Sequence, residues 1–135
     1  MNPSAVAGFV GLELHQKRAD ILRSVFEGVA FSIVEAAATL PEFADAQVLH
    51  LAGGGTLHAE WRQLLCDVLG KKLLVVENPN ASGRGAALLG GHAAGIIVRT
   101  SEEPLITREV EPDPGSHAYL TRVYERWVQA AADIS

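Results

Sequence analysis

The stretch VLHLAGGGTLHAEWRQLLCDVLGKKLLVVE, residues 48–77, decides the fold. Residues 48–52 are a short apolar run that ends on Gly53, Gly54 and Gly55, the pattern of a buried strand entering a tight turn. Beyond the turn, Leu57, Trp61, Leu64, Leu65, Val68 and Leu69 recur at helical spacing and make one apolar face, with Gly70 as the expected C-terminal stop. KLLVV, residues 72–76, is a second buried strand; it closes on Glu77 and is followed by a turn at Asn78, Pro79 and Asn80. Strand, helix and strand in this order predict two parallel strands joined by a right-handed crossover, with helices on the sheet faces.

The flanks extend that unit. Over residues 15–39 one row of apolar side chains falls at Ile21, Val25, Val29, Ile33 and Ala37, and a second at Leu22, Phe26, Ala30, Val34 and Ala38. A four-residue spacing in two rows predicts a long helix with a wide apolar face, ending before Pro41. Residues 1–13 read as the frayed end of a strand. Downstream, a helix is expected to open near Ser82 and run through GRGAALLGGHAAGIIV, whose alanines and glycines suit close packing on a sheet. Residues 99–112 read as a loop with a short edge strand over 105–110. Asp113 and Pro114 supply an N-cap and a first-turn proline for a last helix carrying Leu120, Val123, Tyr124, Trp127, Val128 and Ala131. Two or three short strands make a thin sheet for so many apolar helix faces, so further strands are expected to be needed to complete it.

With 135 residues the chain suits one compact domain. Hydrophobic residues make up 48% and charged residues 20%, which is globular composition. A net charge of −5 gives no field to gather phosphate backbones, so nucleic acid is not an expected partner. Cys66 is the single cysteine; it allows no intrachain disulfide and no CxxC pair, and points to a reducing cytoplasm. Neither a membrane span nor a signal peptide is indicated. The five histidines, at 15, 50, 58, 92 and 117, show no HxxxH or HxH pairing, so no metal site is expected.

Three glycines at a strand end allow positive φ and let a ligand reach main-chain N–H groups with no Cβ in the way. The helix that follows points its positive end at the same place, which suits an anion or a nucleotide. One glycine would satisfy a tight turn, and three in a row exceed that need. A dinucleotide site asks for G-x-G-x-x-G and an acid about 20 residues on. Gly53 and Gly55 fit the first part and Glu77 the last, but the third glycine position is His58.

The run GGGTLHAEWRQLLCDVLGKKLLVVENPNASGRGAALLGG resembles the C-terminal signature of the FGGY carbohydrate kinases, most closely their xylulose kinase branch. The match takes in Trp61, Arg62 and Gln63, the segment from Asp67 to Gly70, the turn at Glu77, and Gly85 to Ala87. GFVGLELHQKRADILRSVFEGVAFSI is similar to that family's glutamate-glycine-valine helix, and DPGSHAYLTRVYERW to its terminal helix. The resemblance covers nearly the whole chain. It implies an α/β, actin-like or ribonuclease-H-like ATPase fold, present here in part and lacking its N-terminal strands, with residues 1–135 forming one partial domain.

In function, the resemblance implies a kinase that phosphorylates a sugar hydroxyl, xylulose or a related pentulose, with ATP and Mg. Gly53, Gly54 and Gly55 would approach the adenosine and phosphates, and His58 stands where relatives carry a serine or asparagine that reaches the nucleotide. An imidazole there can hydrogen-bond or stack on adenine, or can simply face solvent. The catalytic base, the sugar contacts and the Mg ligands would belong to segments upstream, so no catalytic residue and no metal ligand is expected in this chain, and the chain by itself is expected to be inactive. The partners implied are ATP or ADP and, for the whole enzyme, a sugar.

Other residues have plainer readings. Trp61 lies on the apolar stripe and is expected in the core; Asp67 is expected to cap or pair locally on an exposed face; Arg84 is expected to face solvent. Two rivals remain: a dinucleotide-binding oxidoreductase module that uses Glu77, and a non-catalytic assembly module that forms a homo-oligomer through apolar faces.

Overall fold

The computed structural model describes residues 8–76, 80–96 and 106–133. Glu77, residues 78–79 of the expected turn, and residues 1–7 lie outside this set. The elements run α1 (Arg18–Ala38), α2 (Pro41–Asp45), β1 (Val48–Ala52), a 3-10 turn (Gly54–Leu57), α3 (Ala59–Leu69), β2 (Lys72–Val76), α4 (Ala81–Ala93), β3 (Ile106–Val110) and α5 (Pro114–Asp133).

The sheet order is β1-β2-β3. β1 and β2 are parallel, with Val48 opposite Lys72 and Ala52 opposite Val76, as the strand-helix-strand reading requires. β3 runs antiparallel to β2, with an irregularity between Val75 and Val76. Lys72 spans the two strands and bonds both Glu109 and Glu111, at 2.5 and 3.1 Å. The sheet is covered on one face. Leu49, Leu51, Leu73 and Val110 pack with Leu65 and Cys66 of α3 and Ala30 of α1.

Two expectations about the strands and helices change. β1 was expected to be buried, yet it is an edge strand whose Val48, His50 and Ala52 are exposed on the uncovered face. Two reasons combine: the order leaves β1 with a neighbour on one side only, and α1 and α3 pack on the face of Leu49 and Leu51, opposite these three residues. α4 was expected to use its small residues for close packing, but none of its residues is buried, and a Cβ added at Gly83, Gly85 or Gly90 would meet nothing within 4 Å. The short helix α2 was not foreseen. Pro41 ends one helix and opens the next at its first position, where a missing N–H costs nothing. Lys71 fastens α2 back to the unit, donating to the Ala46 carbonyl at 2.6 Å with its ammonium over the Phe43 ring.

α1 starts with Asp20 accepting the Lys17 N–H at 2.8 Å, half of a capping box. Its Phe31 is buried against the stacked Tyr124 and Trp127 rings of α5, at ring separations of 5.5 and 5.8 Å. Full burial of a side chain this size stabilises by about 1.5–3 kcal/mol. The wide apolar face foreseen for α1 is used only in part: Leu22, Val25, Phe26, Val29 and Ile33 remain between 38% and 56% exposed. α5 begins as expected, with the Asp113 carboxylate accepting the Ser116 N–H at 2.7 Å.

Candidate functional site

The glycine turn sits where β1 meets α3, and the reasons for its three glycines differ. Gly53 has φ 95° and ψ −173°, a region essentially closed to side chains. Gly55 lies under Trp61: a Cβ there would come to 3.3 Å from the indole Nε1. Gly54 has neither constraint, since its φ is not positive and a Cβ would meet nothing within 4 Å. Backbone geometry explains Gly53, and at Gly55 a side chain would crowd the Trp61 ring, which would have to give by a few tenths of an ångström. Of the three, Gly54 is the one that neither backbone angle nor packing constrains.

The residues after the glycines fix the turn. Thr56 is buried, and both its N–H and its hydroxyl donate to the Gly53 carbonyl, at 3.1 and 2.8 Å. Its own carbonyl accepts from the buried guanidinium of Arg62. Trp61 is half-buried, packs against the core and stands 5.9 Å from the Phe26 ring of α1. It thus packs on the edge of the core rather than inside it as expected, and it is also a wall of the turn.

His58 is the N-cap of α3 and is exposed. Its carbonyl accepts the Arg62 N–H at 3.1 Å, but its side chain makes no capping bond. The first-turn N–H groups of α3 are therefore not taken up by the cap side chain, and the helix presents its positive end beside Gly54 and His58. The structure thus brings Gly53, Gly54, Gly55 and His58 together at one end of α3. Arg84, in the first turns of α4, is exposed. Among the described residues no group of three or more His, Cys, Asp or Glu side chains stands together to hold a metal ion. No helix there is long and apolar enough to cross a membrane.

The opposite end of α3 carries a second cluster. Asp67 was expected on an exposed face, but it is buried: its carboxylate accepts from Gln63 and from the Asp113 N–H, each at 2.8 Å. Gln63 also reaches the Glu111 carbonyl at 3.0 Å. The helix stops at Gly70, φ 62°, as foreseen, and His117 Nδ1 bonds the Asp67 carbonyl at 2.7 Å. Because the partner is a carbonyl, Nδ1 carries the proton. Cys66 is fully buried, with its sulfur 3.2 and 3.3 Å from the Val110 and Lys71 carbonyls, and burial pushes the thiol up to about 11. It is a protonated core residue at neutral pH.

Sequence reasoning missed the parts played by Arg62 and Asp67. A charged residue inside a strongly amphipathic helix reads as solvent-facing, and only the return of the chain at Thr56 and at Asp113 supplies the partners that let these two be buried.

Comparison with known proteins gives one consistent answer. The model of the family described as "FGGY family of carbohydrate kinases, C-terminal domain" matches residues 1–94. The chain is 28% identical over 124 residues to the probable L-xylulose kinase of Pasteurella multocida, covering 91% of this chain and 26% of that protein. It is 33% identical over 98 residues to the gluconokinase of Bacillus subtilis, covering 71% and 19%. The crystal structure of xylulose kinase from Rhodospirillum rubrum superposes with a TM-score of 0.71 at 28% identity, covering 98% of this chain and 28% of that one. The chain thus spans between about a fifth and somewhat over a quarter of the length of these relatives, and its fold is that of the family's C-terminal domain.

Proposed function

The chain belongs to the FGGY family of carbohydrate kinases, and we propose that residues 1–135 form the nucleotide-binding portion of an ATP-dependent sugar kinase. The whole enzyme transfers a phosphoryl group from ATP to a sugar hydroxyl, on a pentulose such as xylulose. It works with Mg in the cytoplasm. Gly54 is the observation that carries this reading: a position without a side chain, constrained by neither backbone angle nor packing, at the positive end of a helix in a kinase family.

The bound nucleotide supplies the phosphoryl group. This chain's part is to receive it: the backbone at Gly54 and Gly55 admits the ligand closely, the end of α3 favours its negative charge, and His58 offers a donor or a stacking face. Phosphoryl transfer also needs Mg ligands and a catalytic carboxylate, which in this reading lie elsewhere in the enzyme.

Titration calorimetry of the purified chain tests the reading. Binding of ATP or ADP, weakened by Gly54→Ala and absent for NAD, is the expected result; NAD binding without ATP binding would favour the oxidoreductase rival. The chain alone should show no sugar-dependent ADP production, and detecting it would overturn the division of labour proposed. The exposed apolar stripe on α1 also favours self-association, against which a stable monomer in sedimentation would count.

A further inference from the structure

Arg62 occupies a place that should be unfavourable twice over. Its side chain is only 7% exposed, and a guanidinium removed from water is costly unless its N–H groups find acceptors. It is also the fourth residue of α3, near the positive end of the helix, where a cation is disfavoured. What it meets there is the carbonyl of Thr56. Thr56 in turn holds the Gly53 carbonyl with two bonds, so one line of contact runs from Arg62 through Thr56 to the residue whose φ of 95° sets the turn. Between the two ends of this line lie Gly54 and Gly55. Their backbone has no side chain to anchor it, and Trp61 restrains it on one side only.

We propose that Arg62 is a positioning residue for the nucleotide site: its guanidinium, bonded to the Thr56 carbonyl from inside the fold, holds the Gly53–Thr56 turn in the shape that receives the ligand. The inference rests on the nucleotide reading of this turn. It assigns Arg62 no contact with the ligand; its effect passes through Thr56. A charge-assisted bond to a backbone carbonyl is stronger than a neutral one, and its loss frees a turn that has few other restraints. The same guanidinium places a fixed positive charge behind a site meant for phosphate.

The test uses the chain itself, with amide hydrogen exchange read by NMR and ATP affinity read by calorimetry. Arg62→Met keeps the length and removes the donors; Arg62→Lys keeps a charged donor. In Arg62→Met we expect exchange at Thr56, whose N–H is bonded to the Gly53 carbonyl, to rise about tenfold and ATP affinity to fall about tenfold, while amides of Leu73, Val75 and Leu120 keep wild-type protection. Arg62→Lys should restore both to within about threefold of wild type. Wild-type exchange at the turn in Arg62→Met would overturn the proposal. So would a loss of protection across the whole core in both variants, which would make Arg62 a general structural residue. Failure of the wild-type chain to bind ATP would sink the nucleotide reading alone, since the exchange measurement is made without nucleotide and still decides whether Arg62 sets the turn.

Discussion

The carboxylate of Asp67 accepts the backbone N–H of Asp113 at 2.8 Å, joining residues 46 positions apart and fixing the start of α5 against the end of α3. The same oxygen takes the Gln63 amide, so its removal leaves the Asp113 N–H without an acceptor and Gln63 with the Glu111 carbonyl alone. Asp67→Ala should destabilise the chain by about 1–3 kcal/mol in urea unfolding, and Asp67→Asn, which keeps an acceptor oxygen, by clearly less. Equal losses in the two variants would show that the hydrogen bonds are not the source.

The three glycines of the turn should separate in mutation. Gly53→Ala forces a side chain into a backbone region reserved for glycine and should cost about 1–3 kcal/mol of stability. Gly54→Ala meets no atom and no forbidden φ, so its unfolding midpoint should match or slightly exceed wild type while its ATP affinity drops. Thermal melts paired with calorimetry check this, and a Gly54→Ala chain that binds ATP normally would remove the main support for the nucleotide site.

Gly70 should be intolerant for two separable reasons. Alanine at φ 62° costs about 1–2 kcal/mol anywhere, and here its Cβ would also fall on the His117 ring that bonds the Asp67 carbonyl. The double variant Gly70→Ala with His117→Ala relieves the second cost and leaves the first. A double-mutant cycle should therefore show a favourable coupling between the two substitutions, and strict additivity would mean the ring moves aside freely.

Cys66 predicts a loss of stability in alkali. The thiol ionises near 9.0 in an unfolded chain and near 11 in the folded one, where burial opposes the charge. Across that window the unfolded state sheds a proton that the folded state keeps, so stability falls as pH rises. Melting temperatures measured at pH values either side of the window should fall further for wild type than for Cys66→Ala. Parallel curves would rule out a contribution from this thiol.

The central unit was legible because periodicity and glycine punctuation agree there. The helix from Ala59 to Leu69, its stop at Gly70, the parallel strands and the Asp113 cap all follow from local rules that the tertiary structure respects. What stayed hidden depends on neighbours. Whether β1 is central or at an edge is a matter of sheet order, which an apolar pentapeptide does not encode. The burial of Asp67 and Arg62 depends on partners 46 residues away in one case and on a backbone carbonyl in the other. At the site, the glycines announced themselves, but their separate reasons appeared only when Trp61 and the φ of Gly53 were seen together.

The single helix α3 carries the glycine turn at one end and the Asp67, Gly70 and His117 cluster at the other. Its 11 residues make a rod about 16 Å long, continuous from end to end. A rod pinned at both ends transmits displacement with little loss. A shift of α5 that moved Asp113 or His117 would bear on one end of a helix whose other end closes the glycine turn, so the last described helix is tied to that turn through α3 without touching it.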